Sequence, residues 1–211
     1  MTPLMPVMPL VQLAVVALAL LMLASRRRSV CIVLMALQSA AVGIAALAVI
    51  PARSSAFVTA AIVLAVKAVG ITFFLALAVR RTRERARVRA DLDPLARVAI
   101  TLVGVVLLEV LVPPLSFLSA GAQQATLAAF GFGIAIVVTR HATLLQLMGI
   151  LVCENAVALA AVSTPGGMPV VIELGAAADV IVFFAVGLAF HQRIFTVLGS
   201  GDSTMLRELR D

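Results

Sequence analysis

Residues 140–167 read RHATLLQLMGILVCENAVALAAVSTPGG, and this stretch decides the fold. Between Arg140-His141 and Thr164-Pro165-Gly166-Gly167 runs an apolar segment whose single charge is Glu154. At about 1.5 Å per residue, some twenty residues in a helix span a hydrocarbon core about 30 Å thick. Arg at one end and a Pro-Gly turn at the other are the boundaries such a helix needs.

Working outward, the same pattern recurs along the chain. Apolar stretches cover residues 4–24, 30–50, 56–79, 95–112, 122–139, 142–162 and 170–190, with short breaks between them. Apolar residues make up 63% of the 211 and charged residues only 12%, with a mean hydropathy of +1.18, which excludes a soluble domain. The expected fold is therefore all-α: one polytopic transmembrane helical bundle of about seven spans over 1–211, with a basic loop at 80–94 and a tail at 191–211. Asp93-Pro94 reads as the start of the fourth span, Asp as the cap and Pro in the first turn.

Charge sets the orientation. Arg26, Arg27 and Arg28 follow the first apolar stretch rather than precede it, the reverse of a cleaved signal, so that stretch is expected to be retained as a span. Alternating sides from there puts every Arg group except Arg53 on one face, including the run Arg80, Arg81, Arg83, Arg85, Arg87 and Arg89. The positive-inside rule then places the N-terminus outside and the C-terminus in the cytoplasm. This topology accounts for a sequence pI near 11.2 without nucleic acid, which needs a basic face on a folded domain. The Arg80 to Arg89 run reads as a cytoplasmic anchor that suits anionic lipid.

Some chemistry is excluded at once. Cys31 and Cys153 stand alone, forming no Cys/His set for zinc, iron–sulfur or nickel, so no metal is expected. The chain has no Tyr or Trp, hence no tyrosyl relay and no interfacial belt of those residues. Gly131-Phe132-Gly133 lies inside an apolar stretch without the strand and helix of a nucleotide loop, and reads as helix packing. An odd number of spans without internal similarity argues against a carrier built from two equal repeats.

Three ionisable residues sit near the middle of separate apolar stretches: Lys67, Glu154 and Asp179. A charge at the bilayer centre costs on the order of 2.5–3.5 kcal/mol, so it persists where a partner, water or a working proton justifies it. The small neighbours Ala60 and Gly70 near Lys67, and Gly175-Ala176-Ala177-Ala178 before Asp179, allow close helix approach. The short turn after residue 163 makes the sixth and seventh spans antiparallel neighbours, which brings Glu154 and Asp179 to similar depth. Two acids and a lysine at one depth are the parts of a proton relay, which is the favoured reading, with a structural ion-pair cluster that only fixes packing as the alternative. Gln38-Ser39 and Asn155 serve either as an extension of that path or as interhelical glue. Glu109 and Glu173 fall near the outer span ends, and His141 and His191 at the cytoplasmic ends, as interfacial groups.

Several of these residues carry a resemblance. Gln38-Ser39, the Phe57 to Lys67 region, Arg140-His141-Ala142 leading to Met148-Gly149 and Cys153-Glu154-Asn155, Ile172-Glu173-Leu174-Gly175 with Asp179, and the tail Gly201 to Leu209 are similar to the hydrogenase-4 component E family. The last three spans also resemble the K subunit of bacterial complex I, although there the matching acid stands about one turn earlier and a glutamate replaces Asp179. The resemblance implies a membrane-arm subunit of a complex I-like hydrogenase or formate hydrogenlyase in a bacterial or archaeal cell membrane. It implies no cofactor in this chain, antiporter-like and quinone-site-like membrane subunits as neighbours, and a nickel–iron and iron–sulfur redox module as an indirect partner. Lys67, Glu154 and Asp179 would then continue a proton or sodium path. Two other readings stand beside it: a subunit of a multisubunit cation/proton antiporter, and a structural assembly subunit with inert ion pairs.

Overall fold

A computed structural model describes residues 8–50, 55–82, 93–165 and 185–196. The helices are α1 (Met8–Ala24), α2 (Arg28–Val49), α3 (Ser55–Ala65), a π-helical segment (Val66–Ile71), α4 (Thr72–Thr82), α5 (Pro94–Leu111), α6 (Ala120–Thr139) and α7 (Thr143–Ser163). Residues 185–196 form a further helix, α8. Among the described residues there is no strand.

Five of these helical stretches are long and apolar enough to cross a membrane, counting 57–77 through the π segment as one, and Met8–Ala24 is a shorter apolar helix. The first six apolar stretches of the sequence thus coincide with helices. The seventh, 170–190, lies mostly outside the described residues, as do 83–92 of the basic loop and 197–211 of the tail.

Local chemistry starts and stops the helices. Asp93 caps α5 by accepting from the Leu95 N–H, and Pro94 occupies the first turn, where a missing N–H costs nothing. Ser119 caps α6 by accepting from the Ala122 N–H at 3.3 Å. Gln123, in the first turn of α6, folds back: its Oε1 accepts from Leu115 N at 2.8 Å and its Nε2 donates to Pro113 O at 3.1 Å. The Pro113-Pro114 break is thereby tied to the helix that follows, and α6 begins at Ala120, slightly ahead of the expected 122.

Helix ends show how the bundle is threaded. The Leu23 carbonyl, at the end of α1, accepts from Arg97 near the start of α5 and from Arg140 at the end of α6. Arg26 pairs with Asp93 at 3.4 Å at the same end. α1 and α6 therefore run parallel, with α5 and α7 antiparallel to them. α6 and α7 form the most extensive pairing, and α2 packs on α1 and α7 on one side and on the α3–π–α4 helix on the other.

Glycines allow close approaches between helices. A Cβ on Gly133 of α6 would stand 2.9 Å from both Gly149 O and Cys153 N, so the α6 and α7 backbones touch directly. Gly43 of α2 instead admits the side chain of Leu64 of α3. The core contains Leu23, Met35, Leu75, Val105, Phe132, Leu144, Met148 and Leu151, with a second cluster of Val15, Val42, Ala129, Ala156 and Leu159. Lateral faces carry exposed apolar side chains such as Ile62, Val69, Phe73, Val103 and Val110, the surface expected against lipid.

Candidate functional site

Lys67 is the second residue of the π-helical segment. A π turn holds an extra residue and is rare outside single-turn bulges, which occur often at functional sites. Gly70 lies in it with open space where a Cβ would stand, so close packing does not explain this glycine. Its low helical preference instead eases departure from regular α geometry.

From this segment the Lys67 ammonium reaches the Glu154 carboxylate of α7 and forms an ion pair. The two side chains are 11% and 17% exposed, so both are largely withdrawn from the surface. Leu147, Leu151 and Ala161, on the same face of α7 as Glu154, are buried, and Ala158 is partly so. The sequence singled out both residues separately, and the fold brings them together.

Asn155 turns the other way. Its Nδ2 donates to Gln38 Oε1 at 3.2 Å and to Ser39 Oγ at 3.0 Å, while Gln38 Nε2 donates to the Val15 carbonyl at 3.0 Å. All three side chains are buried. A backbone carbonyl accepts only, so Val15 fixes the orientation of Gln38, and Gln38 in turn fixes that of Asn155. Neutral amides do not titrate at ordinary pH, so this chain of hydrogen bonds joins α1, α2 and α7 but passes no proton by titration.

The remaining candidates are placed as follows. Glu109 is half-buried in the last turn of α5, on a helix packed against α1 and α6. His141 is half-buried in the α6–α7 turn. His191 is buried in α8 rather than at a wetted interface, and burial, reinforced by Arg28, lowers its pKa from 6.5 to about 4. Arg80 and Arg81 end α4. Asp179, Glu173 and Arg83 to Arg89 lie outside the described residues, so of the expected trio the structure describes Lys67 and Glu154.

Arg97 was legible only as a basic residue near the edge of an apolar stretch. The structure buries it completely, with Nη1 on the Leu23 carbonyl at 3.1 Å, beside Arg140 Nη2 at 2.8 Å from the same oxygen. Arg140 also donates to the Ser25 carbonyl. Two guanidinium groups thus serve the carbonyl end of α1, where helix geometry leaves acceptors unpaired and the dipole negative. Burial, then the neighbouring Arg97, lowers the Arg140 pKa to about 10, which leaves it charged at neutral pH.

Apolar helices of this length in an antiparallel bundle define a multi-pass membrane protein. No family model matches the chain. The uncharacterised protein Rv0085 of Mycobacterium tuberculosis is 34% identical over 76 residues, which is 36% of this chain. That match spans about a third (34%) of the relative's own length. No solved structure matches the chain.

Proposed function

We propose that the protein is a membrane-arm subunit of a complex I-like hydrogenase or formate hydrogenlyase, contributing buried ionisable groups to a proton or sodium path driven by redox chemistry in partner subunits. The observation that carries this reading is the Lys67–Glu154 pair inside apolar helices, with Lys67 on a π segment. Asp179 joins the path on sequence grounds, and Glu173 and Glu109 stand as possible outer groups.

An ammonium in contact with a carboxylate is suited to proton transfer. The Lys67 ammonium and the Glu154 carboxylate are in direct contact, so a proton can pass between them along that hydrogen bond. Nothing in that exchange requires a cofactor in this chain. The arginine-rich end, with Arg26, Arg28, Arg97 and Arg140, would face the cytoplasm of a bacterial or archaeal cell.

The test is to replace Glu154 by Gln and Lys67 by Met separately in the intact complex and to measure both assembly and ion pumping. Pumping lost with assembly retained supports the path. Normal pumping in both variants points instead to a structural subunit, a reading that the direct pairing of the two charges also favours. Co-purification separates the remaining alternative: nickel–iron or iron–sulfur partners support a hydrogenase, whereas antiporter subunits alone support a cation/proton antiporter.

A further inference from the structure

We infer that Asn155 and Gln38 are positioning residues that set the rotation of α7 so that Glu154 meets Lys67. Consecutive residues of an α-helix point about 100° apart, so fixing the direction of Asn155 fixes that of Glu154. Asn155 is held by two acceptors of α2, Gln38 Oε1 and Ser39 Oγ, and Gln38 is itself held by Val15 O on α1. Asn155 and Gln38 are 1% and 0% exposed, so water offers no replacement for a broken bond.

The polarity of this clamp adds a second consequence. Because the carbonyl of Val15 can only accept, each amide has one workable orientation, and the face of α7 toward α1 and α2 presents neutral amide groups. Among the described residues, Lys67 is then the ionisable partner of Glu154. The clamp therefore aims the carboxylate and places neutral amides on the adjoining face of α7, about 100° around the helix from Glu154. Its meaning for transport rests on the proton-path reading, whereas the aiming is a matter of geometry alone.

A zero-length cross-link reads that geometry directly. In the full chain in lipid nanodiscs, dicyclohexylcarbodiimide activates the Glu154 carboxyl, and attack by the Lys67 amine forms an amide with net loss of water and release of the urea. Mass spectrometry should find the joined peptides in the unaltered protein. Asn155→Leu removes both of its hydrogen bonds and should lower their yield about fourfold relative to folded protein, about twofold for each bond. The double variant Gln38→Leu/Asn155→Leu leaves no orphan amide and serves where the single variant misfolds. Should both misfold, Ser39→Ala removes only one acceptor of Asn155 and should lower the yield about twofold. An unchanged yield in a folded variant overturns the inference. Pumping by Glu154→Gln tests the path separately, so a normal cross-link pattern with normal pumping leaves the positioning intact and removes only its role in transport.

Discussion

Gly133→Ala should separate α6 from α7 and destabilise the bundle by about 3 kcal/mol, the upper part of the usual range for overpacking. The added Cβ would stand 2.9 Å from Gly149 O and 2.9 Å from Cys153 N, against 3.4 Å for the near edge of ordinary contact, an overlap of 3.4 − 2.9 = 0.5 Å. Cys153 Sγ, at 2.5 Å, can turn aside, but these two obstacles are backbone atoms that no rotamer change relieves. A radial gap of about 0.5–1 Å forfeits a quarter to a half of each dispersion contact along the seam, and dispersion is a main force between helices in lipid. Gly104→Ala is the matched control, since a Cβ there meets nothing within 4 Å. It should stabilise by up to about 1 kcal/mol through helix preference, with no steric cost to offset it. Reversible unfolding in mixed micelles, titrated with dodecyl sulfate, measures the difference. Equal midpoints for Gly133→Ala and Gly104→Ala would refute the direct backbone seam as the determinant of α6–α7 packing.

Lys67→Met leaves the Glu154 carboxylate withdrawn from solvent without its cation, and should cost about 3 kcal/mol in the same unfolding assay, the lower end for breaking a buried pair. Arg140→Met removes the charged donor from the Leu23 and Ser25 carbonyls and should cost about 2–3 kcal/mol. Arg26→Ala, breaking a pair whose side chains are 45% and 71% exposed, should cost less than about 1 kcal/mol. His191 gives a pH dependence: its folded pKa of about 4 lies below the unfolded 6.5, so between those values the unfolded state binds the extra proton and stability falls as pH drops. The loss, 2.5 units at about 1.36 kcal/mol each, is at most on the order of 3 kcal/mol, and it levels off below pH 4. Unfolding midpoints measured from pH 7 to 4 should show this slope in the unaltered protein and lose it in His191→Leu.

Helices were readable from the chain because each carries its own boundary chemistry. Asp93-Pro94 announces α5, and Arg140-His141 divides α6 from α7. The polar stretch before α6 was harder, because Gln123 belongs by composition to a loop and by structure to the first helical turn, where it binds the preceding backbone. Lys67 and Glu154 stood out singly through the cost of a charge in lipid, but their pairing depends on which faces α3 and α7 present, and the departure at Val66–Ile71 shifts that face in a way no α-periodicity anticipates. Gln38, Ser39 and Asn155 were equally open to path or packing, and only the direction of their hydrogen bonds distinguishes the two. Arg97 is hard to assign from the chain because an arginine at the edge of an apolar run is expected to reach out to headgroups, whereas here it turns inward to the end of α1.

The widened turn at Val66–Ile71 also bears on comparing this chain with others. A helix that stays regular through the corresponding region needs one residue fewer to cover the same length, so a straight, gapless alignment through it falls out of step by one position. The exposed Phe74 would then be matched to the inward position that Leu75 holds here, or Phe73 to that of Thr72, and a lysine aligned with Lys67 need not occupy the same side of its helix. Matching by three-dimensional superposition, with a single-residue gap allowed inside 66–71, keeps the two halves of this long helix in correspondence.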